Sequence, residues 1–158
     1  MACDAIARLY DVDEDSVVFK KLQKTKKYDQ GTVTFRARKG RLIDLEKLHE
    51  SIWATRLSGG TRSGLVSLEV TAIGHVITSE DKTVLRVDDT DAEFVVGRHP
   101  DSKHAAAFGQ LQSLPGKHVK LTGRIDNYMG RWPSVLRTVL KKPRRILVTD
   151  FEVLEDTQ

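Results

Sequence analysis

The residues best suited to chemistry lie in a basic excursion over residues 127–145. It holds Arg131, Arg137, Lys141, Lys142, Arg144 and Arg145, and no Asp or Glu occurs between Asp126 and Asp150. Tyr128, Met129 and Trp132 sit among these charges. Cationic groups neutralise phosphates and aromatic rings stack on bases, at about 1–3 kcal/mol per stacked base. That combination fits single-stranded nucleic acid. The same cations fit an acidic protein surface or a membrane headgroup. A third possibility is packing, in which Val135, Leu136, Val139 and Leu140 pin the segment down and leave its charges solvated. A long connection inside a compact domain is itself a pointer to function.

A second loop, SGGTRSG at residues 58–64, offers backbone amides, hydroxyls and a guanidinium. Such loops cradle phosphates. The G-x-x-x-x-G-K-[ST] pattern is absent, however, and the loop follows a helix instead of preceding one. It reads as a mobile surface connection through which Thr61 and Arg62 contact a partner. The five histidines, His49, His75, His99, His104 and His118, are scattered. None is spaced i, i+4 from another and no cysteine accompanies them, so no metal site is expected of them. No G-x-S-x-G elbow is present. The acidic run VDDTDAE at residues 87–93 lacks the Gly and bidentate Glu of a calcium loop and reads as a turn between strands. Trp53 and Trp132 are the candidates for interface anchors. No catalytic residue and no cofactor is assigned, and a non-enzyme is expected.

Composition sets the frame for these residues. The 158 residues are 39% hydrophobic and 30% charged, as expected of a soluble chain forming one medium domain or two small ones. No apolar run approaches the ~20 residues of a membrane helix. The N-terminal stretch has early acids and no apolar centre, which argues against a secretory signal and makes a cytoplasmic location the default. The lone Cys3 has no partner for an intramolecular disulfide. A net charge of +4 allows anionic partners without specifying one.

The elements that position these groups follow from periodicity. A short helix is expected over residues 4–10, with Asp4 at its cap, and a strand over 16–22. Five lysines fall between Lys20 and Lys27 and read as a solvated hairpin end. Residues 32–38 alternate, with Val33, Phe35 and Ala37 toward a core. Asp44 caps a helix whose buried stripe is Leu45, Leu48 and Ile52, with His49 on its edge. Residues 65–77 form a long strand. Its apolar set moves from Val66, Leu68, Val70 and Ala72 to Ile73 and Ile77, which predicts a bulge or bend near Gly74. The domain junction is placed there.

Beyond it, residues 83–87 pair with 74–78 and residues 93–97 form a third strand. A helix capped by Asp101 or Ser102 runs to Pro115 and Gly116. Residues 117–125 and 146–154 supply two more strands. In residues 117–125, Val119, Leu121, Gly123 and Ile125 face inward. Three strands, a helix, then two strands is the order of an OB-type barrel.

The first half runs α-β-β-α-β. Its G-x-V-x-F at residues 31–35, followed by Ile43, Asp44 and Leu45 and a helix with Leu48 and Ile52, resembles the heavy-metal-associated domains of copper chaperones and metal-pumping ATPases. The resemblance covers roughly the first 75 residues and implies a ferredoxin-like module. That family holds a soft cation between two thiolates in a M-x-C-x-x-C loop. Here Met1, Ala2 and Cys3 match the start of that loop, and Ile6 occupies the position of the second thiolate. The resemblance therefore implies at most Cys3 as a metal ligand, in a module lacking its thiolate pair and its first strand.

The expected fold class is α+β, with a truncated ferredoxin-like module over residues 1–73 followed by an OB-like five-stranded barrel over 74–158. The expected function is a non-catalytic accessory subunit docking onto a larger protein assembly through its basic loops. Single-stranded nucleic-acid binding through the second half is the alternative, and metal trafficking through Cys3 the third.

Overall fold

The computed structural model describes residues 2–24, 29–55, 67–126 and 145–155. The fold is α+β, with three helices and two sheets among these residues. The chain divides into two compact units, Met1–Leu65 and Val66–Gln158. Among the described residues, no helix is long and apolar enough to cross a membrane.

In the first unit, helix α1 (Ala2–Ala7) leads into strand β1 (Val12–Lys24), which pairs antiparallel with β2 (Asp29–Ala37). Ser16 sits at an irregularity in this ribbon, where its hydroxyl donates to the Asp13 carbonyl and accepts the Arg36 N–H. Helix α2 (Leu45–Ala54) begins as its sequence dictates. The Asp44 carboxylate accepts the N–H groups of Glu46 and Lys47 at 3.0 and 3.1 Å, which satisfies two donors the helix cannot pair internally. Ile6, Val12, Leu48 and Ile52 are buried, and α1 packs on both β1 and α2. His49, expected on the edge of the apolar stripe, is buried with them.

The ribbon has two strands, and no third strand joins it among the described residues. Strand β3 (Glu69–Thr78), expected to complete the ferredoxin-like module, pairs instead with β4 (Thr83–Val87) and β6 (His118–Ile125). Both edges of β3 are thus satisfied within the second unit. The division accordingly falls between Leu65 and Val66, ahead of this strand, and not within it at residue 73.

Strand β3 also passes Gly74 without a bulge. Its register with β4 and with β6 is unbroken. Val70, Ala72, Gly74 and Val76 alternate as half-buried or buried residues and Ile73 is 42% exposed; the alternation departs only at Ile77, half-buried beside Val76. The apparent change of phase in the sequence arises because the inward position at 74 has no side chain. A Cβ there would overlap the Arg86 carbonyl, so glycine is what permits this approach of β3 to β4.

The remaining elements follow in order. Strand β5 (Glu93–Arg98) pairs antiparallel with β4. Helix α3 (Ser102–Gln112) is capped by Asp101 and packs on β5 and on β7 (Arg145–Val153). Strand β7 runs antiparallel to β6 and parallel to β5. The sheet order β3-β4-β5-β7-β6 closes on itself through the β6–β3 pairing. Leu85, Leu111, Val119, Leu121, Ile125 and Ile146 are at most 1% exposed and form its core. Thr149 is the extra residue where β7 slips against β6, and its hydroxyl donates to the Thr122 carbonyl.

Candidate functional site

Closure of the sheet brings together three groups that the sequence keeps far apart. His75 on β3 lies directly opposite His118 on β6 in the antiparallel register. Cross-strand neighbours on one face hold their side chains within reach of each other. The two imidazoles stack, with centroids 4.6 Å apart and planes at 18°. Asp88 is the first residue past β4, and its N–H donates to the Ile73 carbonyl at 3.0 Å. This carries its carboxylate to the same outer face as His75, two residues from Ile73.

The carboxylate then meets both rings. His118 Nε2 donates to Asp88 Oδ2 at 2.6 Å, and His75 Nδ1 lies 3.5 Å from Asp88 Oδ1. The side chains are 22% exposed for His118, 34% for Asp88 and 51% for His75, so the trio opens to solvent from the His75 side. One candidate ligand atom from each residue lies within 4.8 Å of the other two. Two imidazole nitrogens and a carboxylate oxygen are a donor set for divalent transition ions. Among the described residues this is the group of three or more potential ligands that the fold assembles.

A second histidine pair flanks the start of α3. His99 Nδ1 accepts the Asp101 N–H at 3.1 Å, and His104 Nδ1 lies 3.1 Å from the Thr149 carbonyl. Their rings meet edge to face with centroids 5.1 Å apart.

The residues nominated from the sequence are distributed differently. Tyr128, Arg131, Trp132, Arg137, Lys141, Lys142 and Arg144 lie outside the described residues, as do Thr61 and Arg62. Arg145 opens β7, and its guanidinium is paired with Asp126 at 2.5 and 3.0 Å. The Asp126 N–H also donates to the Arg145 carbonyl at 2.8 Å, so the basic excursion leaves and returns at one closed hairpin base. Cys3 is a half-buried free thiol on α1. The sequence reading misses the His75–Asp88–His118 group because it looks for helical spacing. The predicted pairing of 74–78 with 83–87 already places Asp88 beside β3. The partner strand of His118 was the missing piece.

No protein-family model matches the chain, and neither a curated protein nor a solved structure is similar enough to count as a match.

Proposed function

We propose that the chain is a non-catalytic binding protein that docks onto an acidic surface of a larger protein assembly. The observation that carries this reading is the outer part of the β1–β2 ribbon. Val18 and Phe19, on opposite faces of the ribbon, and Leu22 are 60%, 52% and 57% exposed there, with Lys20 and Lys21 exposed between them. Apolar side chains rimmed by charge mark an interaction surface. The lysines choose the sign of the partner, since complementary charge steers association and rejects like-charged surfaces. The sequence of residues 131–144 carries further cations of the same sign.

The test is cross-linking and pull-down from the native source, comparing the wild type with a Phe19→Glu, Lys20→Glu variant. Capture of a partner rich in surface Asp and Glu by the wild type alone is the expected result. A clean monomer in both cases rejects docking.

A second reading is supported by strand order. Three antiparallel strands, a helix and two further strands, with the third and fifth parallel, is the connectivity we assign to an OB-type barrel. In such barrels the loop joining the last two strands contacts oligonucleotides. Here that loop carries Arg131, Arg137 and Arg144 with Tyr128 and Trp132. Single-stranded nucleic-acid binding predicts an affinity that falls steeply with salt and with Arg131→Ala, Arg144→Ala. No binding of labelled oligonucleotides at low salt removes it. Cys3 as a metal ligand is the weakest reading, because one thiolate alone does not define a site.

A further inference from the structure

We propose that His75, Asp88 and His118 form a binding site for a divalent first-row transition ion of zinc-like preference. The inference is independent of the docking surface above and of Cys3. It rests on donor type, geometry, support and access.

Donor type narrows the ion. Calcium and magnesium take oxygen ligands, and copper(I) is selected by thiolates and thioethers. Two imidazoles with one carboxylate suit zinc, iron(II), copper(II) and nickel(II). The set of three protein ligands also matches zinc sites that keep a position open for water or an anionic oxygen.

The geometry is close to what an ion requires. Ligand atoms at about 2.0–2.1 Å from a tetrahedral ion stand roughly 3.3 Å from one another. The His75 Nδ1–Asp88 Oδ1 separation of 3.5 Å is near that value, on the carboxylate oxygen that His118 does not contact. The His118–Asp88 contact of 2.6 Å is a hydrogen bond, and its proton occupies the place an ion would take. Binding replaces that proton: in the neutral ring it is given up at Nε2 and one is taken up at Nδ1, the freed Nε2 lone pair bonds the metal, and the two atoms separate to the wider spacing. No pair of the three candidate atoms starts more than 4.8 Å apart. Binding requires the stacked rings to rotate so that both nitrogens point at one ion.

The support is rigid. Residues on both sides of the site are fixed by main-chain bonds: Asp88 N–H to the Ile73 carbonyl, Val76 N–H to the Lys117 carbonyl, and Leu154 N–H to the His118 carbonyl. Asp89 follows with φ of 57°, a left-handed turn that ends β4 at the site. His75 and His118 are carried on paired strands, which hold ligands more precisely than loops do. Access comes from His75, half exposed at the rim.

A bracing role for the same three side chains is the competing explanation, and the two separate experimentally. The full chain is titrated with Co²⁺ alone, followed by its visible absorption, and then with competing Zn²⁺. One equivalent with a tetrahedral spectrum, displaced by Zn²⁺, is expected. Asp88→Asn and His118→Ala each weaken Co²⁺ binding by more than about 100-fold, beyond the range seen when only an outer-shell partner is lost. Zn²⁺ raises the thermal midpoint of the wild type and not that of Asp88→Asn, since a ligand stabilises only the state it binds.

Cys3→Ser and the His99→Ala, His104→Ala pair leave binding unchanged. Circular dichroism monitors folding throughout. Should His118→Ala unfold, His75→Asn at the exposed rim carries the test. Absence of Co²⁺ uptake by the folded wild type overturns the proposal. So does uptake that survives Asp88→Asn and His75→Asn, or that disappears with Cys3→Ser.

Discussion

Gly74 and Gly109 show how the same substitution changes sign with surroundings. At Gly74 a methyl group would meet the Arg86 backbone, which is fixed by pairing with β5 and cannot withdraw. Gly74→Ala is expected to destabilise the closed sheet by about 2–3 kcal/mol, the scale of overpacking. At Gly109, on α3, nothing lies within 4 Å of an added Cβ. Gly109→Ala should stabilise by about 0.5–1 kcal/mol, because alanine loses less backbone freedom in a helix. Chemical denaturation of both variants checks the pair, and equal signs would refute the account.

Asp101 adds a pH effect at the same scale. Accepting the Lys103 N–H holds its carboxyl below the usual carboxylate range. The folded pKa is the lower one, so its contribution is complete above the unfolded pKa and is lost as pH falls through the folded value. Asp101→Asn still caps the helix but cannot titrate. Its thermal midpoint should fall less than that of the wild type on acidification, and parallel curves would contradict this.

At the scale of elements, local chemistry accounts for the starts of α2 and α3 but not of α1, which begins at Ala2 with Asp4, expected as its cap, inside its first turn. Asp44 caps α2 as its spacing from Leu45 and Leu48 implies, and Asp44→Ala should cost about 1 kcal/mol of first-unit stability in a denaturant titration. Strand β6 was legible for the same reason: Val119, Leu121, Gly123 and Ile125 alternate, and all four are buried. Strand β3 was legible as a strand but not in its partners. An alternating strand records which face is buried and leaves open which neighbours fill its two hydrogen-bonding edges. Its apparent phase shift was misread for a related reason. A glycine in a buried slot looks like a break in pattern until the opposing backbone is known.

At the scale of the whole chain, all five strands of the closed sheet and α3 belong to the unit Val66–Gln158. That unit produced alone is expected to fold, with cooperative thermal unfolding and protected amides in β3 and β6. A non-cooperative melt would show that it depends on residues 1–65.

The α+β class, the Asp44 cap, the pairing of 74–78 with 83–87 and the inward face of β6 follow from the residues alone. Each of these depends on groups within a few residues or on a short hairpin. Only the tertiary structure decided that β3 also borders β6. That single pairing closes the sheet and sets His118 opposite His75, where the Asp88 carboxylate meets both. A side-chain constellation drawn from two strands and the turn after a third depends on hydrogen-bond register between distant segments, and periodicity along one segment carries no information about it.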